Sequence, residues 1–401
     1  MADQSTTQVD VYLGIDVGKK DHHAVALDRA GNKLLDKALP NDEGKLRSIL
    51  GKLAGRGRVL LVVDQPATIG ALPVAVGLNI GCQVAYLPGL TMRRVADLHP
   101  GEAKTDARDA AIIAETARTM PHTLRSVGLQ DEDAAELSML CGFDQDLAAQ
   151  ITATSNRIRG LLTQIHPALE RVLGKHLDHP AVLDLVEAYP TPASLRQAGR
   201  RRVETKLKKH APRMFKRLAA DVFDALDAQT VTVVGTNAAR VVLPHLAAQL
   251  RALRAQRDDV AAQVEHLVEA HPLWLILGSM PGVGTRTAAV FIAETAGKHF
   301  ATAAHLAAYA GLAPVTRRSG TSIRGETASK RGNKRLKRAM FLSAFAALRD
   351  PVSRAYYDRK TTQGKRHNQA LIALARRRCD VIYAMLRDGC LYQPPTPAPA
   401  T

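Results

Sequence analysis

Cysteine is scarce in this chain of 401 residues, and the few thiols are scattered. The four cysteines are Cys82, Cys141, Cys379 and Cys390, and no two of them have C-x-x-C spacing. Neither a zinc site nor a disulfide framework is therefore indicated. Reduced thiols of this kind are typical of a cytosolic protein.

Long apolar runs are also missing. Runs such as Val59–Val63 and Leu273–Leu277 have five residues, whereas a membrane-spanning helix needs about 20. The first ten residues, MADQSTTQVD, lack the charged start and apolar stretch of a signal peptide. We therefore expect a cytoplasmic protein with no membrane partner.

Acidic residues are too few to balance the basic ones. There are 38 Asp and Glu against 55 Lys and Arg, which gives a formal net charge of +17. Such an excess favours a polyanionic partner, and nucleic acid is the leading candidate. The alternative is a soluble protein that is merely basic. The length predicts two or three domains, and the 46% hydrophobic content predicts a globular chain.

The N-terminal third predicts alternating strands and helices. Three strands at 9–17, 22–28 and 33–38, the last two joined by the turn Arg29-Ala30-Gly31-Asn32, indicate an antiparallel hairpin arrangement. The order continues with a helix at 42–54, a fully apolar strand at 58–64, a short helix, a strand at 82–87 and a helix capped by Thr105.

The middle of the chain predicts two long helices, at 132–174 and 236–271, which have apolar residues at helical spacing and could pair as a coiled coil. Between them, residues 196–217 hold ten basic residues and one acid, Glu204. This density favours nucleic-acid contact over a solvated face.

The last third begins near Leu273 with a Pro-Gly turn. PGVGTRTAA, from Pro281, is similar to the hairpin of a helix-hairpin-helix module, in which the backbone at Gly282 and Gly284 would bind a DNA phosphate. A helix at about 285–296, a Gly- and Arg-rich stretch and two further helices are predicted to follow. The tail PPTPAPAT, residues 394–401, is predicted to be disordered.

Four acids at the ends of predicted strands or at the start of a predicted helix are candidate catalytic or metal-binding residues: Asp16, Asp64, Asp106 and Asp109. Clustered carboxylates repel each other, and a divalent cation such as Mg²⁺ relieves the repulsion and activates a nucleophile. Asp16 has two ordinary alternatives, a turn after a strand and the first phosphate motif of an actin-like ATPase. Asp106 and Asp109 could be helix-start acids that complement the dipole. All four in this order indicate the ribonuclease-H-like fold.

Ser319 lies in a strongly basic segment. Residues 317–338 hold nine basic residues and one acid, Glu326. An exposed serine beside guanidinium groups could attack a phosphodiester, or it could simply hydrogen-bond a phosphate. Ser322, Ser329, Tyr356 and Tyr357 are rival nucleophiles. The expected nucleic-acid contacts here are Arg317, Arg318, Gly320, Arg324, Lys330, Arg331, Lys334 and Arg335.

These segments together resemble the IS110 family of insertion-sequence transposases. The resemblance covers nearly the whole chain and is strongest in GIDVGK, KTDARDA and LGSMPGVG…AYAGLAPVTRRSG…SKRGNKRLKRA. It implies a D-E-D-D tetrad, in which Asp16, Asp106 and Asp109 match the first, third and fourth acids. Asp64 stands where the family usually has Glu and is one methylene shorter, which makes a contact with metal through water an alternative to a direct one.

The resemblance also implies how the protein works. Ser319 matches the nucleophilic serine, which forms a covalent phosphoserine intermediate with Mg²⁺ present. A homo-oligomer, a dimer or tetramer, would join one subunit's serine to another's acids. A structured non-coding RNA would select the double-stranded donor and target DNA.

The expected domains are a ribonuclease-H-like (RuvC-like) α/β catalytic domain at 1–130, a helical coiled-coil region with a basic insert at 131–272, a mainly α transposase domain with the serine at 273–392, and the tail 393–401. The insert at 175–235 is longer than in short members of the family and is left without a role. Two other functions stay open: a Holliday-junction-type metal-dependent nuclease that needs no serine, and a non-catalytic architectural nucleic-acid-binding protein.

Overall fold

The computed structural model describes residues 8–66, 68–99, 105–127, 132–319, 323–327, 329 and 331–394. The chain forms two compact units, Met1–Asp131 with Thr295–Phe300, and Glu132–Glu294 with Ala301–Thr401. Among the described residues, no helix is both long and apolar enough to cross a membrane. Residues 395–401 of the predicted disordered tail lie outside the described residues.

The first unit is built on a six-stranded mixed sheet. Its strand order is β3-β2-β1-β4-β5-β6, in which β1 runs antiparallel to β2 and parallel to β4. The predicted strands are all present, and a two-residue edge strand, β6, was not foreseen. The strands are β1 (Val11–Asp16), β2 (Asp21–Asp28), β3 (Lys33–Pro40), β4 (Val59–Val63), β5 (Gln83–Tyr86) and β6 (Arg125–Ser126).

Helices cover both faces of this sheet, so β1 and β4 are buried on both sides. The helices are α1 (Glu43–Ala54), α2 (Ala71–Ile80), α3 (Gly89–Ala96) and α4 (Asp106–Thr119). One core joins Leu13 and Ile15 to α1, and the other joins Val62 to Ile113 of α4. The predicted cap is correct: the Thr105 hydroxyl accepts a backbone N–H in the first turn of α4. The Asp42 carboxylate does the same at the start of α1. The helix α3 was not predicted.

The second unit begins with long helices, as predicted. Helices α5 (Glu132–Ile165) and α10 (Thr236–Ala270) pack against each other. Their coiled-coil character stays a prediction. Between them lie α6 (Pro167–Leu173), α7 (Pro180–Ala188), α8 (Pro192–Lys208) and α9 (Phe215–Asp227), which share one core with Ile158, Leu162, Leu243 and Leu250.

The rest of the unit is mainly helical, with one strand pair. It contains α11 (Trp274–Gly278), α12 (Thr285–Thr295), α13 (Ala303–Tyr309), β7 (Val315–Ser319), β8 (Ile323–Thr327), α14 (Lys334–Ala346), α15 (Pro351–Thr362) and α16 (His367–Asp388). After α12 the sequence predicted a loop and two helices, whereas four helices and a hairpin are present. Short helices such as α13 carry too few turns to show a clear periodicity.

Candidate active site

Asp16 and Asp64 lie side by side at one edge of the sheet. Strands β1 and β4 are parallel neighbours, and Ile15 pairs with Val63, so the next residue of each is an aspartate. The backbone N–H of Val17 donates to Oδ1 of Asp64 at 3.3 Å. Since side chains alternate along a strand, Asp16 is on the same face as Gly14, and Asp64 on the same face as Val62. That face is the one covered by α4.

Gly14 determines how closely α4 approaches the sheet. A Cβ atom at Gly14 would lie 2.4 Å from the carbonyl oxygen of Ala110 and 2.5 Å from the amide nitrogen of Ala114. Glycine inside a strand commonly marks such a close backbone approach. The middle of α4 therefore rests directly on the middle of β1.

The direction of α4 brings its acids to the same edge. Arg118, at the far end of α4, donates to the carbonyl of Arg29 at 3.4 Å, in the turn after β2. That turn lies beside the start of β1, because Val11 pairs with Asp28. The start of α4 must then lie over the other end of β1, where Asp16 is. Asp106 and Asp109 occupy this first turn, one turn before the sheet-facing residues Ala110 and Ile113.

The four acids thus face a common edge, three of them partly buried and Asp106 exposed. Carboxylate oxygens are suitable ligands for a hard cation such as Mg²⁺. Within the described ranges, however, no three acidic, histidine or cysteine side chains stand close enough together to hold an ion. The arrangement fits a metal by its donor chemistry and its location, and it requires the side chains to converge on binding.

Two residues that shape this edge were missed from the sequence. Gly14 was read only as part of a strand. His22, in β2, is buried, and its Nδ1 accepts the backbone N–H of Gly18 at 3.1 Å, which folds the turn after Asp16. Burial lowers the pKa of His22 and favours the neutral ring. The glycine inside a strand was an available signal, but nothing in the sequence distinguished His22 from its neighbour His23.

Ser319 ends the strand β7 of the hairpin in the second unit. Strands β7 and β8 are antiparallel, with Ser319 paired to Ile323 and Arg317 paired to Gly325. The predicted site residues Gly320, Ser322 and Lys330 lie outside the described residues, and only the backbone is described for Arg317, Arg318, Ser319 and Arg324.

The base of the hairpin segment is closed by two glycines. Gly311 and Gly332 both have positive φ, 66° and 95°. A Cβ at Gly332 would lie 2.5 Å from the amide nitrogen of Gly311. The N–H of Asn333 donates to the carbonyl of Tyr309 at 2.7 Å. The segment that carries Ser319 therefore leaves and re-enters the fold at one point.

A polar network supports the helix that follows. The side chain of Asn333 caps α14 by accepting the N–H of Leu336 at 2.9 Å, and it donates to Tyr309 Oη at 3.0 Å and to Glu294. Arg335 pairs with Glu294 at 3.0 Å. Arg335 thus has a structural partner, while Arg331 and Lys334 are exposed. Of these three predicted phosphate ligands, the exposed pair is the better placed.

The Pro-Gly turn before α12 is held by hydrogen bonds from a buried arginine of α16. The buried guanidinium of Arg378 donates to the carbonyl of Pro281 at 2.6 Å and to Ser343 Oγ at 2.8 Å. Burial lowers the pKa of Arg378 to about 10. A Cβ at Gly282 would lie 2.7 Å from the carbonyl of Ser343, whereas Gly284 is exposed with open space above it. Gly282 is required for packing, and a phosphate contact at Gly284 stays a prediction.

The rival nucleophiles differ in their surroundings. Ser329 Oγ accepts the N–H of Arg331 at 3.1 Å. Tyr357 Oη lies 2.7 Å from Nδ1 of His367. The ring of Tyr356 has three cations within 6 Å of its centroid, from Arg359, Lys360 and Arg377.

The mixed sheet, with acids at the ends of β1 and β4 and at the start of α4, is the arrangement of a ribonuclease-H-like (RuvC-like) domain. Residues 13–167 match a family model for DEDD transposases, and residues 275–358 match the model "Transposase IS116/IS110/IS902 family". The first of these models suggests a divalent metal, because its fold is that of metal-dependent nucleases.

Relatives match over nearly the full length. The chain is 61% identical to the insertion element IS110 uncharacterized 43.6 kDa protein of Streptomyces coelicolor, over 98% of both chains. It is 40% identical to the insertion element IS900 uncharacterized 42 kDa protein of Mycobacterium paratuberculosis, over 96% of this chain and 98% of that one. It is 30% identical to the mini-circle putative transposase for IS117 of Streptomyces coelicolor, over 90% of each. The chain belongs to the IS110 family of transposases and is a DNA-recombining enzyme.

Proposed function

We propose that this transposase cleaves and rejoins double-stranded DNA with Ser319 as nucleophile and Asp16, Asp64, Asp106 and Asp109 as ligands of Mg²⁺. The observation that carries the proposal is that four acids from three elements lie toward one edge of the sheet. Bound Mg²⁺ would stabilise charge on the phosphate and the leaving oxygen. The serine adds an ester link to phosphorus while the sugar oxygen leaves, so the energy of the phosphodiester is kept for rejoining.

The chain's own residues divide this work. A carboxylate of the edge accepts the serine proton, and arginines around Ser319 bind the phosphate oxygens. The proposed domains are the nuclease domain at 1–130, the helical region at 131–272 and the serine-bearing domain at 273–392. Gly282 and Gly284 lie in the last of these, before α12.

A covalent adduct tests the serine. With Ser319→Ala, we expect DNA binding to persist and both strand cleavage and the protein–DNA adduct to disappear. Ser329→Ala is the matched control, because Ser329 Oγ is engaged by the backbone of Arg331. Cleavage by Ser319→Ala without any adduct would instead support a junction-resolving nuclease. Binding without any cleavage by the unaltered protein would support an architectural role.

We infer further that the complete site forms between subunits of a dimer or tetramer. The acids belong to the first compact unit and Ser319 to the second, so the two halves can come from different chains. Mixing inactive Asp16→Asn protein with inactive Ser319→Ala protein should restore cleavage. No recovery in demonstrated mixed oligomers would mean that each chain completes its own site.

We also infer that a structured non-coding RNA guides the enzyme, from the family resemblance and the net charge of +17. Protein purified and treated with ribonuclease should lose recombination, and RNA transcribed from DNA beside the gene should restore it. Equal recombination with and without treatment would contradict RNA guidance.

A second candidate nucleophile is Tyr357, favoured by the 2.7 Å contact of its hydroxyl with His367. A histidine that accepts the phenol proton would activate it for attack on phosphorus. In that case Tyr357→Phe would abolish the adduct and Ser319→Ala would not. The serine mechanism predicts the reverse, so the same pair of variants separates the two.

A further inference from the structure

The basic insert between the long helices has no role in the reaction described above. Its basic helix α8 is bent at Gly199, whose φ of 73° and ψ of 160° lie outside helical values. The helical part after the bend buries Val203 and Leu207 in the core shared with α7 and α9. The opposite face of this helix is therefore held rigidly toward the outside.

That outer face forms one side of a groove of about 700 Å³. The residues that line it are Tyr189, Arg201, Arg202, Thr205, Lys206 and Lys209. Positions 201, 205 and 209 are one turn apart, and so are 202 and 206, so the cations form two parallel rows. From Arg201 to Lys209 the rows span roughly 12 Å along the helix. We call these six residues the α8 groove.

The α8 groove has four cations and no acid. The nearby basic residues are already engaged: Arg200 pairs with Glu204 at 3.1 Å, and Arg196 donates to the carbonyls of Leu226 and Gln229. The four groove cations have no carboxylate within ion-pair distance in the described part of the chain. Like charges so close together repel each other, and Arg201 and Arg202 also lie at the positive end of the helical part after Gly199. A bound anion would relieve both effects.

We propose that the α8 groove binds the phosphate backbone of duplex DNA outside the base pairs that react. The proposal rests on the proposed function, because a transposase must hold DNA. Duplex DNA is favoured over a single strand because the groove has a single aromatic side chain. Tyr189 is half-buried and packs against the core, so its ring is not free to stack on bases. Contacts to phosphate position the duplex and carry no sequence information directly.

The test removes the four charges together in the full chain, as R201Q/R202Q/K206Q/K209Q, and measures binding to two unrelated DNA duplexes between 50 and 200 mM salt. Losing four phosphate contacts should reduce the slope of log affinity against log salt by about 3 to 4, equally for both sequences. Affinity at the lower salt concentration should fall at least about tenfold.

The matched control is K208Q/R213Q/K216Q/R217Q, which removes four charges from the same basic segment outside the groove. It should change the slope by much less. Equal loss in both variants, or an unchanged slope in the groove variant, would overturn the proposal. So would a loss for an RNA hairpin of equal length without a loss for duplex DNA. If the groove variant melts early, R202Q/K206Q should still lower the slope by about 2.

These outcomes are separable from failure of the proposed function. Binding is read without cleavage, in the Ser319→Ala background. If Ser319→Ala still cleaves DNA, the serine mechanism is wrong, but the salt dependence of binding still tests whether the α8 groove contacts phosphates.

Discussion

The two halves of the proposed active site are held in different ways. At the sheet edge, Asp16 ends and Asp64 directly follows a strand buried on both faces, and the backbone of α4 packs directly on Gly14. The Ser319 hairpin is a two-stranded pair whose observed anchor is its base, where Gly311 meets Gly332. Two-stranded pairs are marginal without packing against another element. The backbone segments that carry the acids are thus positioned by a core, and the segment that carries the serine is positioned by its attachment point.

The largest expected effect comes from the acids themselves. Asp16→Asn or Asp109→Asn keeps the shape of the side chain and removes its charge. If metal binding contributes several kcal/mol to transition-state stabilisation, cleavage should fall about a thousandfold or more. Cleavage rates with Mg²⁺ and with excess chelator measure this. Asp97→Asn, at an exposed position after α3, is the control and should leave the rate unchanged. Full activity of the chelated enzyme would contradict a metal site.

The packing of α4 is tested by Gly14→Ala. The added methyl would lie 2.4–2.5 Å from backbone atoms of Ala110 and Ala114, which cannot move without shifting α4. We expect unfolding to become easier by about 3 kcal/mol, and cleavage to fall even where the variant is folded. Gly51→Ala, at an exposed position of α1 with no atom within 4 Å of the added methyl, should stabilise the fold by about 0.5–1 kcal/mol. Thermal melts compare the stability of the two variants. An equal change in melting temperature for Gly14→Ala and Gly51→Ala would contradict tight packing of α4 on β1.

The base of the hairpin is tested by Gly332→Ala. Its φ is 95°, so alanine costs about 1–2 kcal/mol in backbone strain. Gly364→Ala is the matched control. Gly364 has a φ of 85° and open space around it, so alanine there costs the same backbone strain without a steric clash. The contact with Gly311 should add about 1–3 kcal/mol at Gly332, and DNA cleavage should drop only there. Equal melting and equal activity of the two would show that the serine segment does not depend on this closure.

Sequence patterns were sufficient for much of the sheet and for the long helices. Alternating and continuous apolar runs predicted β1 and β4, and Thr105 correctly predicted the start of α4. The pattern failed where structure depends on contacts between distant residues. The need for glycine at position 14 follows from its contact with Ala110 and Ala114 of α4, and the structural role of Arg335 follows from its ion pair with Glu294. The proximity of Tyr357 to His367 depends on the packing of α15 against α16, which periodicity does not describe.

The smallest expected effect is on the reactivity of the cysteine thiols, which measures how readily each region opens to solvent. Burial raises the pKa of Cys141 to about 11 and that of Cys379 to about 12, and it also raises the pKa of Cys82. Since the thiolate is the reactive form, these three should resist alkylation at pH 8, while the exposed Cys390 reacts.

Modification of Cys390 alone should leave recombination unchanged, and Cys390→Ser should remove the labelling without loss of activity. Cys141 is the informative residue, because it lies beside Arg335, which supports the helix after the serine hairpin. Cys82 lies in the core of the sheet. If the serine region opens more readily than the sheet, mild denaturant should expose Cys141 to labelling before Cys82, as mass spectrometry of the labelled peptides would detect. Labelling in the opposite order would mean that the serine region is the more firmly held of the two.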